Sequence, residues 1–237
     1  MGRGPSIAGR KSVEDAKRGQ IFTKLIREIT VAARTGGVDP AGNARLRMAM
    51  DKAIASNMTK DTIERALKRA SGADAAATQE IRYEGYGPGG VAVMVDTMTD
   101  NPTRTIAEVR HAFSKGGGHV GTTGSVAFQF AETGELIFEL SAAVTEDRIM
   151  EVALDAGADD VVTADGYCDV LTSPASFEAV KKALLAAKLE PLQAEVTMRP
   201  ANRVAVSGEV QEQLQKMLDL LEDLDDAQAV YHNADLS

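Results

Sequence analysis

The stretch SGADAAATQ, residues 71–79, separates two incompatible hydrophobic periods. Before it, apolar residues recur three and four apart. After it, short β-branched runs alternate with helical patterns. A segment cannot serve both periods, so the chain must hold an all-helical part followed by a mixed part. The small, polar residues of 71–79 read as the linker between them.

In the helical part, Ser12 and Asp15 form a loose capping box. Phe22, Leu25, Ile26, Ile29, Ala32 and Ala33 follow at helical spacing. Thr35-Gly36-Gly37 closes this helix. A second helix fits 44–55, with Leu46, Ala49, Met50, Ala53 and Ile54 on one face. A third starts from Thr59 as N-cap and buries Ile63, Ala66, Leu67 and Ala70.

In the mixed part, GGVAVMVDTMT, NPTRTIAEVRHAFSKGG and GSVAFQFAE read as strand, helix and strand. Residues 133–200 then read β-α-β-β-α-β, the ferredoxin-like order, with a tight turn at Asp165-Gly166. NRVAVSG, EVQEQLQKMLDLLEDL and DAQAVYHNAD give a last strand, helix and strand. A lone β-α-β tail would leave open sheet edges. Joining it to the first β-α-β makes a second module, with the middle one inserted at an exposed connection. The expected fold is therefore α+β in three domains. Residues 1–79 form a basic helical domain with its linker, 80–132 and 201–237 a discontinuous α+β domain, and 133–200 an inserted α+β domain. The rival is three consecutive domains.

Charge follows the same division. Residues 1–79 carry 15 Lys and Arg against 8 Asp and Glu, whereas the remainder carries 11 against 27. At about 100° per residue, Arg10, Lys17, Lys24, Arg27 and Arg34 fall within roughly a third of the first helix's circumference, opposite Phe22, Leu25 and Ile29. Arg3 and Lys11 extend this stripe, and Arg45, Arg47, Lys60, Lys68 and Arg69 add charge on the next helices. Such stripes neutralise phosphates without reading sequence. A solvated face with salt bridges is the bland alternative.

The glycine clusters GYGPGG and KGGGHVGTTG precede strands rather than follow them, so neither is a nucleotide-binding loop. KGGGH, with Lys115 and His119, reads either as a mobile loop that lets backbone approach a nucleic acid or as a plain connection. The three histidines lack ligand-spaced companions, and no metal or other cofactor is expected. The single cysteine, Cys168, reads as a core filler in a reducing compartment. Phe128 and Phe130 read as core on one strand face. The acidic run LEDLDD reads as a solvated helix end. No apolar run spans a membrane and the N-terminus lacks a secretory pattern, which points to the cytoplasm.

Four long segments make a family resemblance specific: DAKRGQIFTKLIREITVAAR, RLRMAMDKAIASNMTKDTIERALKRA, EGYGPGGVAVMVDTMTDNPTRTIAEVRHAFSKGGG and LEDLDDAQAVYHN. Together they resemble the YebC/PmpR family over nearly the whole chain. That family includes a mitochondrial translational activator of a cytochrome oxidase subunit. The opening MGRGPSIAGRK departs from the GHSKW-like start of many members and lacks its Trp. The resemblance implies a non-enzymatic protein of three domains. Its members are described as DNA-binding transcriptional regulators, or as translation factors acting on ribosomes, including at proline stretches. It implies a nucleic-acid partner, duplex DNA or ribosomal or transfer RNA, and a monomer. Its contact surface would be the first helix and the SKGGGH loop. A ligand-sensing or protein-interaction role for the acidic α+β half is the reading from another class, and it leaves the basic helices unexplained.

Overall fold

The computed structural model describes residues 7–71 and 78–235, with side chains from residue 19 onward. The linker residues 72–77 lie outside this range. The fold is α+β, with seven α-helices and two antiparallel four-stranded sheets among the described residues. It divides into two compact units, Met1–Ala127 with Val204–Ser237, and Phe128–Arg203.

The first unit opens with helices α1 (Ile7–Gly36), α2 (Ala44–Ala55) and α3 (Lys60–Ala70). Helix α1 begins ahead of the expected cap at Ser12. It ends where Gly37 takes a positive φ of 90°. Ile29, Ala32, Ala33, Leu46, Ala49, Ala53, Met58, Ile63 and Ala66 form its core. The many alanines let the three helices approach closely. Buried Asn43 is the joint between α1 and α2. Its Oδ1 accepts the Leu46 N–H at 3.0 Å as N-cap, while its amide nitrogen donates to the Ala32 and Gly37 carbonyls, each at 2.8 Å. Thr59 caps α3 by accepting the Thr62 N–H.

The sheet of this unit has the order β3-β1-β2-β9, from β1 (Gln79–Tyr86), β2 (Ala92–Thr99), β3 (His119–Val120) and β9 (Ala227–His232). Helices α4 (Pro102–Lys115) and α7 (Gly208–Glu222) pack on one face. Val93, Val95, Val109, Phe113, Leu214, Met217 and Leu221 fill the space between. Strands β8 (Val204–Ala205) and β10 (Ala234–Asp235) form a short parallel pair.

Strand β1 is an addition to the sequence reading, which passed over EIRYEGY. Its alternation is legible in EIRYE, since Ile81 and Tyr83 share the core face of Val93 and Val95 while Arg82 and Glu84 lie on the other face. GSVAFQFAE is not a separate strand. Residues 127–129 make a 3₁₀ turn, and β4 runs unbroken from Phe130 to Glu139 across position 132/133, where the sequence placed a domain boundary. The turn breaks the alternation, so Phe130 is buried while Phe128 is 76% exposed rather than core.

The second unit is β4 (Phe130–Glu139), α5 (Glu146–Asp155), β5 (Asp160–Ala164), β6 (Tyr167–Thr172), α6 (Phe177–Ala186) and β7 (Gln193–Pro200), with strand order β5-β6-β4-β7. Asp165 and Gly166, at φ 52° and 83°, form the two-residue turn between β5 and β6. Helix α5 packs on β5 and β6, and α6 on β4. Leu136, Phe138, Val170 and Cys168 are fully buried, so the thiol is a core group.

Candidate nucleic-acid interface

The first unit contains most of the cations singled out from the sequence, and it sorts them into two groups. Arg3, and the side chains of Arg10, Lys11 and Lys17, lie outside the described residues. Of the rest of the α1 stripe, Lys24 and Arg27 turn toward the body of the same unit. Lys24 Nζ donates to the Glu222 carbonyl at 2.5 Å, at the C-terminal end of α7, where cations are favoured. Burial pushes its ammonium below the ordinary lysine range, against the opposing pull of Glu222, Asp223 and Asp225.

Arg27 Nη1 faces three acceptors: the Met98 carbonyl at 3.0 Å, the Asp225 carbonyl at 2.8 Å and Asp226 Oδ1 at 3.2 Å. Asp226 is the centre of the cluster, with only 2% of its side chain exposed. Its Oδ2 accepts Arg104 Nη2 at 2.7 Å, the Thr105 hydroxyl at 2.7 Å and the Thr99 hydroxyl at 3.0 Å. Burial alone would raise the carboxyl pKa. The hydrogen bonds from Arg104, Thr105 and Thr99 outweigh it and hold Asp226 below the usual carboxylate range. Thr99 also accepts the Asn101 N–H, and Asn101 caps α4. One carboxylate thus joins α1, the end of β2, the start of α4 and the turn before β9. The run LEDLDD is therefore not simply a solvated helix end.

Arg45 is also held within the unit. It lies between Glu28 of α1 at 2.7 Å and Glu80 of β1 at 2.7 Å, and the hydrogen bonds to Glu80 above all stabilise its charged form. Arg47 donates to the Pro40 carbonyl at 2.9 Å and is half-buried.

The exposed group is different. Arg34 is exposed in the last turn of α1. On α3, Ile63 and Ala66 face the core, and Lys60, Lys68 and Arg69 are exposed around the rest of the helix, with exposed Glu64 one turn from both lysines. Arg65 is paired with Asp61 at 2.6 Å, but Lys60, Lys68 and Arg69 have no carboxylate partner among the described residues.

Lys115 and His119 are exposed at the end of α4 and on β3. The glycines between them have internal work. A Cβ on Gly116 would overlap Met217, and one on Gly118 would sit 2.5 Å from the Tyr86 carbonyl oxygen. His119 pairs with Tyr86 across β1 and β3, with ring centroids 5.9 Å apart. KGGGH is thus a helix end and a strand, not a mobile loop, and its glycines allow β1, α4 and α7 to close on one another.

A second buried carboxylate lies in the same sheet. Glu84 Oε1 accepts the Gly124 N–H at 2.7 Å, and Oε2 accepts those of Val126 and Ala127, each at 2.8 Å. Burial acts to raise its pKa, but these three donors prevail and lower it.

Residues 4–73 match the model of the TACO1/YebC protein N-terminal domain, and residues 78–234 that of the TACO1/YebC second and third domain. The chain belongs to the TACO1/YebC family. Curated TACO1/YebC relatives match it end to end. A "probable transcriptional regulatory protein" of Xanthomonas euvesicatoria is 58% identical, over 99% of this chain and 98% of its own. One of the same name from an Acidovorax species is 59% identical, over 98% and 97%. The crystal structure of a conserved hypothetical protein from Aquifex aeolicus superposes with a TM-score of 0.82 at 40% identity, covering 93% of this chain and 91% of that one. Among the described residues of this TACO1/YebC chain, no group of three or more His, Cys, Asp or Glu could hold a metal ion. No described helix is long and apolar enough to cross a membrane.

Sequence reasoning missed Asp226 and Glu84, since the donors that bury each lie 40 or more residues away. The usable signal for Asp226 was TDNPTRT, residues 99–105, in which Thr99, Thr105 and Arg104 are donors that need an acceptor.

Proposed function

We propose that this chain is a non-enzymatic, nucleic-acid-binding regulator of gene expression, acting on duplex DNA as a transcriptional regulator in the cytoplasm. The observation that carries the nucleic-acid reading is the set of exposed cations on α3. There Lys60, Lys68 and Arg69 stand exposed without a carboxylate partner among the described residues, in a chain of net charge -9. Unneutralised cations on one helix in an otherwise acidic molecule suit a phosphate backbone. The names of the full-length relatives support the transcriptional role. Exposed Arg34 belongs to the same contact surface, and Lys115 and His119 add a second point of contact. Arg3, Arg10, Lys11 and Lys17 extend it toward the N-terminus. Lys24, Arg27 and Arg45 act from behind, fixing α1 and α2 to the body.

The architecture that suits this role is three domains in a monomer, a basic helical one followed by two α+β modules. The strand order β5-β6-β4-β7 supports a ferredoxin-like reading of the inserted module.

In-cell ultraviolet cross-linking, followed by sequencing of the recovered nucleic acid, tests the function. Discrete promoter DNA is the expected result. Ribosomal or transfer RNA would move the function to translation on the ribosome. Recovery of neither would overturn the phosphate-docking reading.

A further inference from the structure

Both helices of the second unit pack on one face of its sheet. The strand registers define the opposite face. Asp169 of β6 lies beside Val162 of β5 and Ile137 of β4, and Leu171 lies between Asp160 and Glu135. Tyr167 stands beside Glu139, and Glu195 beside Glu135. Neighbouring strands are about 4.8 Å apart. Acidic and apolar side chains therefore alternate along β6 and across β5, β6 and β4 in the rows of Asp160 and Val162, whereas Glu135 and Glu195 form an adjacent acidic pair.

Its charge is one-sided. Five carboxylates, Glu135, Glu139, Asp160, Asp169 and Glu195, share it with one described cation, Arg199, and Glu135 already holds that guanidinium. Two of its apolar members are open to solvent, Tyr167 at 45% exposure and Val162 at 40%, and Ile137 and Leu171 are half-buried. Phosphate is repelled by such a face, whereas a lysine- or arginine-bearing chain is attracted to it. Interleaved apolar groups add contact area that a purely ionic partner would leave unused.

We propose that the helix-free face of the β5-β6-β4-β7 sheet is a docking surface for a cationic protein segment, one whose lysines and arginines are interspersed with apolar side chains. The nucleic-acid surface and this face then serve opposite charges from separate parts of the chain. The proposal does not depend on the function of α3.

The test uses the full chain with its tyrosine rings carbon-13 labelled and a twelve-residue peptide of lysine, arginine and leucine. Titration should shift the Tyr167 ring signal and leave Tyr83, in the first unit, in place. The variant Glu139→Gln/Asp160→Asn/Asp169→Asn should weaken peptide binding about tenfold. The charge-matched variant Glu146→Gln/Asp147→Asn/Glu151→Gln, on α5, should change it less than about twofold. These are isosteric surface changes, and the shift in the unaltered chain is read independently of them. A silent Tyr167, or equal losses in both variants, would overturn the proposal. So would a Tyr167 shift produced by a duplex DNA or RNA oligonucleotide, which would assign the face to nucleic acid. Loss of DNA binding through α3 would leave every one of these readings unchanged.

Discussion

Arg27 Nη1 of α1 lies 3.2 Å from Oδ1 of Asp226, a carboxylate almost wholly removed from solvent and 199 residues away in sequence. The pair ties the first helix to the turn before the last long strand. Its two members are not equivalent. Arg27 also has two backbone carbonyl acceptors, whereas Asp226 is the acceptor for four side-chain donors.

Replacing the acceptor should therefore cost more than replacing one donor. Asp226→Asn leaves buried hydroxyls and guanidinium groups facing an amide, and should lower unfolding free energy by about 3 kcal/mol. Arg27→Ala should cost about 1–2 kcal/mol. Urea denaturation at neutral pH measures both. Equal losses would show that Asp226 is not the centre of the cluster.

Acid should act through the same groups. The folded-state pKa values of Asp226 and Glu84 are both depressed. Each carboxylate thus contributes stability that is fully present above its unfolded value of about 4, and that is lost as pH falls through the folded value. The urea midpoint should hold steady from pH 7 to 5 and drop below about pH 4. Asp226→Asn and Glu84→Gln should each flatten that acid limb. An unchanged limb in both variants would assign acid sensitivity to other groups.

Two glycines should respond in opposite directions to alanine. At Gly118 the added carbon meets a backbone oxygen that cannot move aside, and a loss of about 2 kcal/mol is expected. At Gly19, exposed within α1, nothing lies within 4 Å, and a gain of up to about 1 kcal/mol is expected. Thermal denaturation of the two variants decides this. A neutral Gly118→Ala would mean that the strand pairing of β1 with β3 yields easily.

Neutralising α3 should change how DNA binding depends on salt. Lys60→Gln/Lys68→Gln/Arg69→Gln should weaken duplex binding without regard to sequence, and should reduce the slope of log K against log salt by about 2–3. Lys181→Gln/Lys182→Gln in the second unit should leave the slope alone. Fluorescence anisotropy at several salt concentrations reads both, and matching slopes in the two variants would remove α3 from the interface.

Features of this chain that rest on neighbouring residues could be read from the sequence. The cap at Thr59, the glycine end of α1 and the Asp165-Gly166 turn each depend on a few adjacent positions. What escaped depends on distant partners. A basic stripe shows that acceptors are needed but not whether they are phosphates or the protein's own oxygens, so the internal bonds of Lys24 and Arg27 were not legible. Asp226 looked solvated because its donors lie more than 120 residues earlier. Strand β1 was legible, since Ile81 and Tyr83 alternate with Arg82 and Glu84, but the burial of Glu84 depends on N–H donors 40 or more residues later.

Glu84 grips its loop entirely through main-chain N–H groups, at Gly124, Val126 and Ala127. It is therefore indifferent to the side chains along that loop and sensitive only to whether the amide hydrogens exist. Side-chain replacement at partly exposed Ala127 would leave the grip intact, whereas proline, which has no such hydrogen, would release it. The chain enters its second unit at the very next residue, Phe128. Main-chain hydrogen bonds can thus hold the loop to one path while its exposed positions, Thr122 and Thr123, vary.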